Sequence, residues 1–166
     1  PSVRNTFGAR YTVPMGEELS AQVSRFLRET GITLYMLILA VYSVLLSRYG
    51  ETDDIIIGSP IARRGHAGLD RVIGLVMGSV MMRTHPGHGK TFNHFLQEIK
   101  NITIEAYEHQ DYPFEELLKN LDWEENPGHD PVSDVALIVQ NMFDSSFRDS
   151  SASTVKDRKD RNDHYN

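Results

Sequence analysis

Residues 34–57 read LYMLILAVYSVLLSRYGETDDIII, and their order sets the architecture. From Leu34 to Leu46 only Ser43 interrupts the apolar run, and Thr33 and Ser47-Arg48 bracket it. A membrane span needs about 20 such residues, so this length fits a core helix apolar on all sides. Thr33 supplies an N-cap and Gly50 a stop, predicting a helix over 33–48. After the polar turn ETDD, Ile55-Ile56-Ile57 opens a β-branched run that reads as an interior strand ahead of Gly58 and Pro60. A buried helix feeding a buried strand is the start of an α/β layer.

The flanking sequence extends that pattern in both directions. Residues 17–30 place Leu19, Val23, Phe26 and Leu27 at helical spacing, with Gly31 as the C-cap. Residues 8–13 read as a short strand before Pro14. Residues 72–84 read as a second apolar strand broken by Gly74 and Gly78, which mark a bulge or a place where another backbone or a ligand comes close. Thr91 caps a long amphipathic helix whose apolar face runs from Phe92 to Ala106. A short helix starts near Pro113, and residues 135–143 read as the last strand. The order β-α-α-β-β-α-α-β predicts an α/β layered sandwich, a mixed sheet packed by helices. Residues 144–166 carry almost no large apolar side chain after Phe147 and read as a polar tail or crossover loop beyond a unit spanning 1–143.

With 166 residues, 40% of them hydrophobic and 24% charged, the chain can form a real core without staples. It has no cysteine, which excludes disulfides, thiolate metal sites and a cysteine nucleophile. The net charge of −6 is unevenly spread: +3 over residues 1–100, −9 over 101–140 and zero over 141–166. No basic stripe tracks a phosphate backbone, which argues against nucleic acid as a partner. The N-terminal PSVRNTFGAR lacks an apolar signal core, so a cytoplasmic protein with no membrane role is expected. For the same reason Asn101-Ile102-Thr103 reads as a chance glycosylation triplet.

Three local motifs invite chemistry. His85-Pro86-Gly87-His88-Gly89-Lys90-Thr91 lies between strand and helix, but a phosphate loop requires glycine where Thr84 stands, so an ordinary helix start is expected. His66 and Asp70 have the H-x-x-x-D spacing of a histidine base and its supporting carboxylate. Nothing nearby supplies a dry pocket, and an exposed loop is the plainer reading. The histidines at 85, 88, 94, 109, 129 and 164 form no metal-ligand spacing, so no metal site is expected. The segment His109-Gln110-Asp111-Tyr112-Pro113-Phe114-Glu115 reads structurally as a loop ending at Asp111 or Tyr112, with Pro113 in the first helical turn and acids at its positive end.

That last segment, continued as HQDYPFEELL, closely resembles the (H/N)-Q-D-x-P-F-E signature of the condensation domains of nonribosomal peptide synthetases. Ile73 to Arg83, IGLVMGSVMMR, resembles the preceding signature, (I/V)-G-x-F-V-N-T-x-x-x-R. The stretches Gly31 to Tyr49 and Asp53 to Arg64, and then Pro131 to Val135 with Val139-Gln140-Asn141, resemble further family signatures in order. The resemblance covers residues 5–143.

It implies a chloramphenicol-acetyltransferase-like fold of two lobes, of which this chain looks like the second alone. Between such lobes runs a channel in which an acceptor aminoacyl amine attacks a donor thioester to make a peptide bond. The family's catalytic His-His-x-x-x-Asp-Gly belongs to the first lobe, and this sequence has no His-His pair, so no catalytic residue is assigned and the isolated chain is expected to be inactive. The resemblance implies channel-lining positions at Gly74, Gly78 and Ser79. It also implies signature or interface positions at Arg83, His109, Gln110, Asp111, Pro113 and Phe114. Gly78 stands where the family has the amide of Asn, which implies either a pocket opened for a bulkier substrate or a divergent member. Arg83 either pairs with a carboxylate at the lobe interface or snorkels to solvent.

No cofactor is bound directly; the phosphopantetheine arms of partner carrier proteins would enter the channel. The implied partners are the N-terminal lobe, donor and acceptor peptidyl carrier proteins and an adjacent adenylation domain. Arg25, Arg28, Arg63, Arg64 and Arg71 are the docking candidates for acidic carriers. A lone lobe is also expected to self-associate through the surface its partner would cover. Relatives performing epimerisation, ester formation or cyclisation, and a non-catalytic carrier-binding scaffold, are the alternatives.

Overall fold

The computed structural model describes residues 8–62, 77–121 and 134–140. Its elements are α1 (Glu17–Thr30), α2 (Leu34–Gly50), β1 (Ile55–Ala62), β2 (Met77–Thr84), α3 (Phe92–Glu108) and α4 (Phe114–Asn120). Local chemistry fixes the helix boundaries. Gly31 closes α1 at φ 64°, a left-handed conformation that costs glycine nothing. The hydroxyls of Thr33 and Thr91 accept the backbone N–H of Met36 and His94, capping α2 and α3. At the far end of α2 the expected stop shifts by one: Gly50 stays helical, and Glu51 takes the left-handed turn at φ 51°.

Strands β1 and β2 pair antiparallel, with Ile55 opposite Thr84, Ile57 opposite Met82, Ser59 opposite Val80 and Ile61 opposite Gly78. Alternation along a strand sends these residues to one face, where α2 and α3 cover them. There Ile57 and Met82 meet Met36, Leu39, Phe95, Leu96 and Ile99 in a single core. The described sheet is this antiparallel pair, packed by helices, and Ala136 adds one isolated parallel bridge to Gly58.

Three sequence expectations need correction. Residues 8–13 enter no strand among the described residues, and Tyr11 is 92% exposed. Strand propensity without a neighbouring edge leaves the backbone solvated. Residues 135–140 form one bridge rather than a full strand, while 141–143 lie outside the described residues. Helix α2 is buried on one side only: Met36, Leu39, Ala40, Ser43 and Ser47 face the core, whereas Leu34, Val41 and Leu45 are exposed. One sheet face and one neighbouring helix cover a single stripe of a helix, however apolar its remainder. Residues 72–76 of the expected second strand also lie outside the described residues.

The helix interiors explain two of the motifs. Thr103 is buried in α3 and donates its hydroxyl to Ile99 O at 2.7 Å, so its side chain serves the helix interior. Lys90 reaches Glu98 at 2.7 Å and His85 O at 3.1 Å, and Thr91 serves as a cap, so the glycine-rich stretch is an ordinary helix start. Ser43 Oγ is fully buried and has no hydrogen-bond partner among the described residues. An unsatisfied buried hydroxyl costs about 1–3 kcal/mol, so Ser43→Ala is expected to stabilise the chain by about 1 kcal/mol, read as a higher urea midpoint. A lowered midpoint would show that the hydroxyl is satisfied after all.

Candidate functional site

The face of the sheet opposite α2 and α3 carries the functional candidates. Ser79 lies opposite Pro60, and Met81 opposite Gly58, on this face. Gly58 is buried at the centre of this face, where an added Cβ would meet Met81 Cε and Val135 O at 3.6 Å, ordinary contact. Ser79 is exposed there, and its hydroxyl faces away from the core. Gly78, one residue earlier, registers with Ile61 on the helix-covered face. Adjacent strand positions point in opposite directions, so Gly78 and Ser79 do not present side chains to the same side.

At the open end of the β1–β2 pair, Arg83 grips Asp54 bidentately, Nε to Oδ1 at 2.8 Å and the second nitrogen to Oδ2 at 2.7 Å. The two residues come from different sequence signatures, which the hairpin brings together. Arg83 pairs with a carboxylate of its own chain, and both side chains are exposed. His85 adds a contact from Nδ1 to Asp53 O at 3.2 Å, and Ser47 donates to Asp53 Oδ1 at 3.3 Å, tying the end of α2 to the same corner.

Arg83 holds the Asp54 carboxyl below the usual carboxylate range, chiefly through the hydrogen bonds, and the guanidinium is itself pushed up by Asp54. Both side chains are exposed, so the pair adds little to stability. The sign is that of a depressed acid: the contribution is present above the carboxylate's unfolded pKa and fades as pH falls through the lower folded one. Arg83→Gln is expected to return Asp54 to the ordinary carboxylate range in a carboxyl-detected NMR titration. An unmoved Asp54 titration would mean that the pair does not persist in solution.

The expected signature at 109–114 forms the corner between α3 and α4. His109 caps α3, its N–H bonding Glu105 O at 3.2 Å, and Tyr112 N–H returns to His109 O at 3.1 Å. Pro113, extended at φ −64° and ψ 131°, takes the N-cap position of α4 rather than its first turn. Asn120 Nδ2 reaches the Tyr112 hydroxyl at 3.2 Å, closing the corner. Gln110 and Asp111 lie in the turn and Phe114 opens α4. Together they form the turn between α3 and α4.

Gly74, His66, Asp70, Arg63, Arg64 and Arg71 lie outside the described residues. Of the remaining docking arginines, Arg25 is engaged by Glu29 at 2.7 Å, one turn away on α1. A cavity of about 250 Å³ opens between the end of α2 and the start of α3, lined by Ser47, Arg48, His88, Lys90 and Phe95. None of the expected channel residues lines it. Among the described residues no three His, Asp or Glu side chains converge as metal ligands, and no single helix is long and apolar enough to cross a membrane.

One polar link has no signal in the sequence. Tyr35 OH lies 2.6 Å from Ser59 Oγ, which in turn donates to Leu137 O at 3.2 Å. Burial pushes the Tyr35 phenol up to about 12, against the opposing hydrogen bond to Ser59. The partners are 24 and 78 residues apart, and no local spacing announces them.

The condensation-domain profile matches residues 1–164. The chain belongs to the condensation-domain family. It is 44% identical over 142 residues to a plipastatin synthase polypeptide of Bacillus subtilis (strain 168), covering 86% of this chain and 4% of that protein. It is 42% identical over 147 residues to tyrocidine synthase 3 of Brevibacillus parabrevis, covering 89% of this chain and 2% of that protein. A four-domain nonribosomal peptide synthetase bound to AMP and glycine superposes with a TM-score of 0.79 at 19% identity, over 86% of this chain and 11% of that one. The X-domain from teicoplanin biosynthesis superposes at 0.64 with 26% identity, over 70% of this chain and 26% of that one. This condensation-domain chain thus spans a small part of its relatives, and the small helix-packed sheet carries the family's fold.

Proposed function

We propose that this chain is the C-terminal lobe of a condensation domain that joins an acceptor aminoacyl group to a donor peptidyl thioester within a nonribosomal peptide synthetase. The observation that carries the reading is the family match over residues 1–164, supported by 44% identity to a plipastatin synthase. In the proposed site the open sheet face forms one wall of the channel, with Ser79 as its hydroxyl. Gly74 belongs to the same signature, and Gly78 contributes backbone from the helix side. Arg83 and Asp54 fix the end of that wall. The preceding lobe supplies the histidine that accepts the amine proton.

Such a site works mainly by positioning. Two tethered substrates meeting in one channel turn a bimolecular step into an effectively unimolecular one, an advantage that in well-oriented systems reaches about 7–11 kcal/mol. The tethers are phosphopantetheine arms on donor and acceptor carrier proteins, with an adenylation domain alongside, and the assembly works in the cytoplasm. Residues 1–143 form the lobe proper and 144–166 its polar crossover or tail. The isolated lobe self-associates through surfaces such as the exposed side of α2, whose Leu34, Val41 and Leu45 are uncovered among the described residues.

The experiment is amide formation by the parent protein supplied with loaded donor and acceptor carriers. Transfer of the donor acyl group to the acceptor amine supports the proposal. Carrier binding with no transfer supports a second reading, a recruiting module. That reading draws on Gly78 in place of the family's Asn and on the similarity to the teicoplanin X-domain, a protein also solved in complex with OxyB.

A further inference from the structure

Residues 134–140 meet β1 through a parallel bridge, Ala136 to Gly58, beside the eight paired positions of β1 and β2. Gly58 N–H donates to Val135 O at 3.0 Å, and Leu137 N–H donates to Gly58 O at 2.9 Å. Val135 and Leu137 are only partly buried, whereas Ile57 and Met82 beside them are completely buried. Shallow side chains mark a segment that opens at lower free energy than the core beside it.

A side-chain relay reinforces this docking. Leu137 O can only accept, so the single hydrogen of Ser59 Oγ points to it across 3.2 Å. Ser59 must then accept from Tyr35, whose phenol is the donor in the 2.6 Å bond. The donors run one way, from α2 through β1 to Leu137. Ser59 is 2% exposed, so little water competes for these bonds.

We infer that the Tyr35–Ser59 relay is a latch that selects the docked position of residues 134–140 on β1, and that this segment opens as a local unit while the helix-covered core stays closed. The latch stands independently of the catalytic reading. Its partner is the chain's own segment, and its action is conformational.

Amide hydrogen exchange on the whole 166-residue chain tests it. Ser59→Ala is expected to speed exchange at the Leu137 and Gly58 amides about tenfold, the equivalent of one lost buried hydrogen bond, while the Phe95 and Ile99 amides keep their rates. Tyr35→Phe keeps the Ser59–Leu137 bond and is expected to speed the same two amides about threefold. Unchanged exchange at Leu137 and Gly58 in Ser59→Ala would overturn the latch. So would an equal acceleration across α2 and α3, because the relay would then belong to the global core. Should Ser59→Ala fail to fold, the same comparison in Tyr35→Phe decides.

Discussion

The isolated 166-residue chain, mixed with a loaded donor carrier and an aminoacyl acceptor carrier, is expected to form no amide above the uncatalysed rate. Its seven histidines are all separate, so the sequence contains no His-His pair. Three of the described ones sit in structural roles on the surface: His85 bonds Asp53 O, His94 lies 3.5 Å from Glu98, and His109 caps α3. A positioned general base contributes about 10²–10⁴ in rate, and the second channel wall contributes the positioning; the isolated chain is expected to lack both. Joining a preceding lobe that carries His-His-x-x-x-Asp-Gly is expected to restore amide formation. Product from the isolated chain, followed by mass spectrometry, would contradict the lobe assignment.

The largest structural effect is expected at Ile57. It is completely buried and faces Met82, also completely buried, beneath α2 and α3. Truncating such a residue to alanine costs about 2–5 kcal/mol, against a total stability of about 5–15 kcal/mol for an ordinary domain. Ile57→Ala is therefore expected to remove roughly a third of the stability, read as a lower urea midpoint. Ile56→Ala, one residue away on the open face and only half-buried, is expected to cost less than about 1.5 kcal/mol. Equal losses at the two positions would mean that the sheet faces are assigned the wrong way round.

Helices were legible because their ends are written locally. Gly31, Thr33 and Thr91 each act within four residues of where they stand, and each cap appears in the structure as read. Strands were less legible, since a strand exists only beside a partner that its own residues do not encode. That is why 8–13 enters no strand among the described residues and why 135–140 shows one bridge. The all-apolar composition of α2 announced burial but could not say which stripe the neighbours cover.

The site divides in the same way. Family-like spacing around Ser79, Arg83 and His109–Phe114 singled out residues that the fold places at a sheet face, a sheet end and a helix corner. It did not show that Arg83 would find Asp54, 29 residues upstream, because that pairing depends on the β1–β2 register. Nor did spacing reveal that Gly78 and Ser79 part company across the sheet, which follows once Ile61 and Pro60 are known to be their partners. The Tyr35–Ser59 relay joins elements that only the folded chain brings together.

Reading the coding sequence immediately upstream of Pro1 in its source tests the lobe assignment most directly. The expected result is a lobe-sized stretch, in frame, that contains His-His-x-x-x-Asp-Gly. A lobe-sized stretch without that motif would contradict an amide-forming domain and leave carrier binding as the activity to measure.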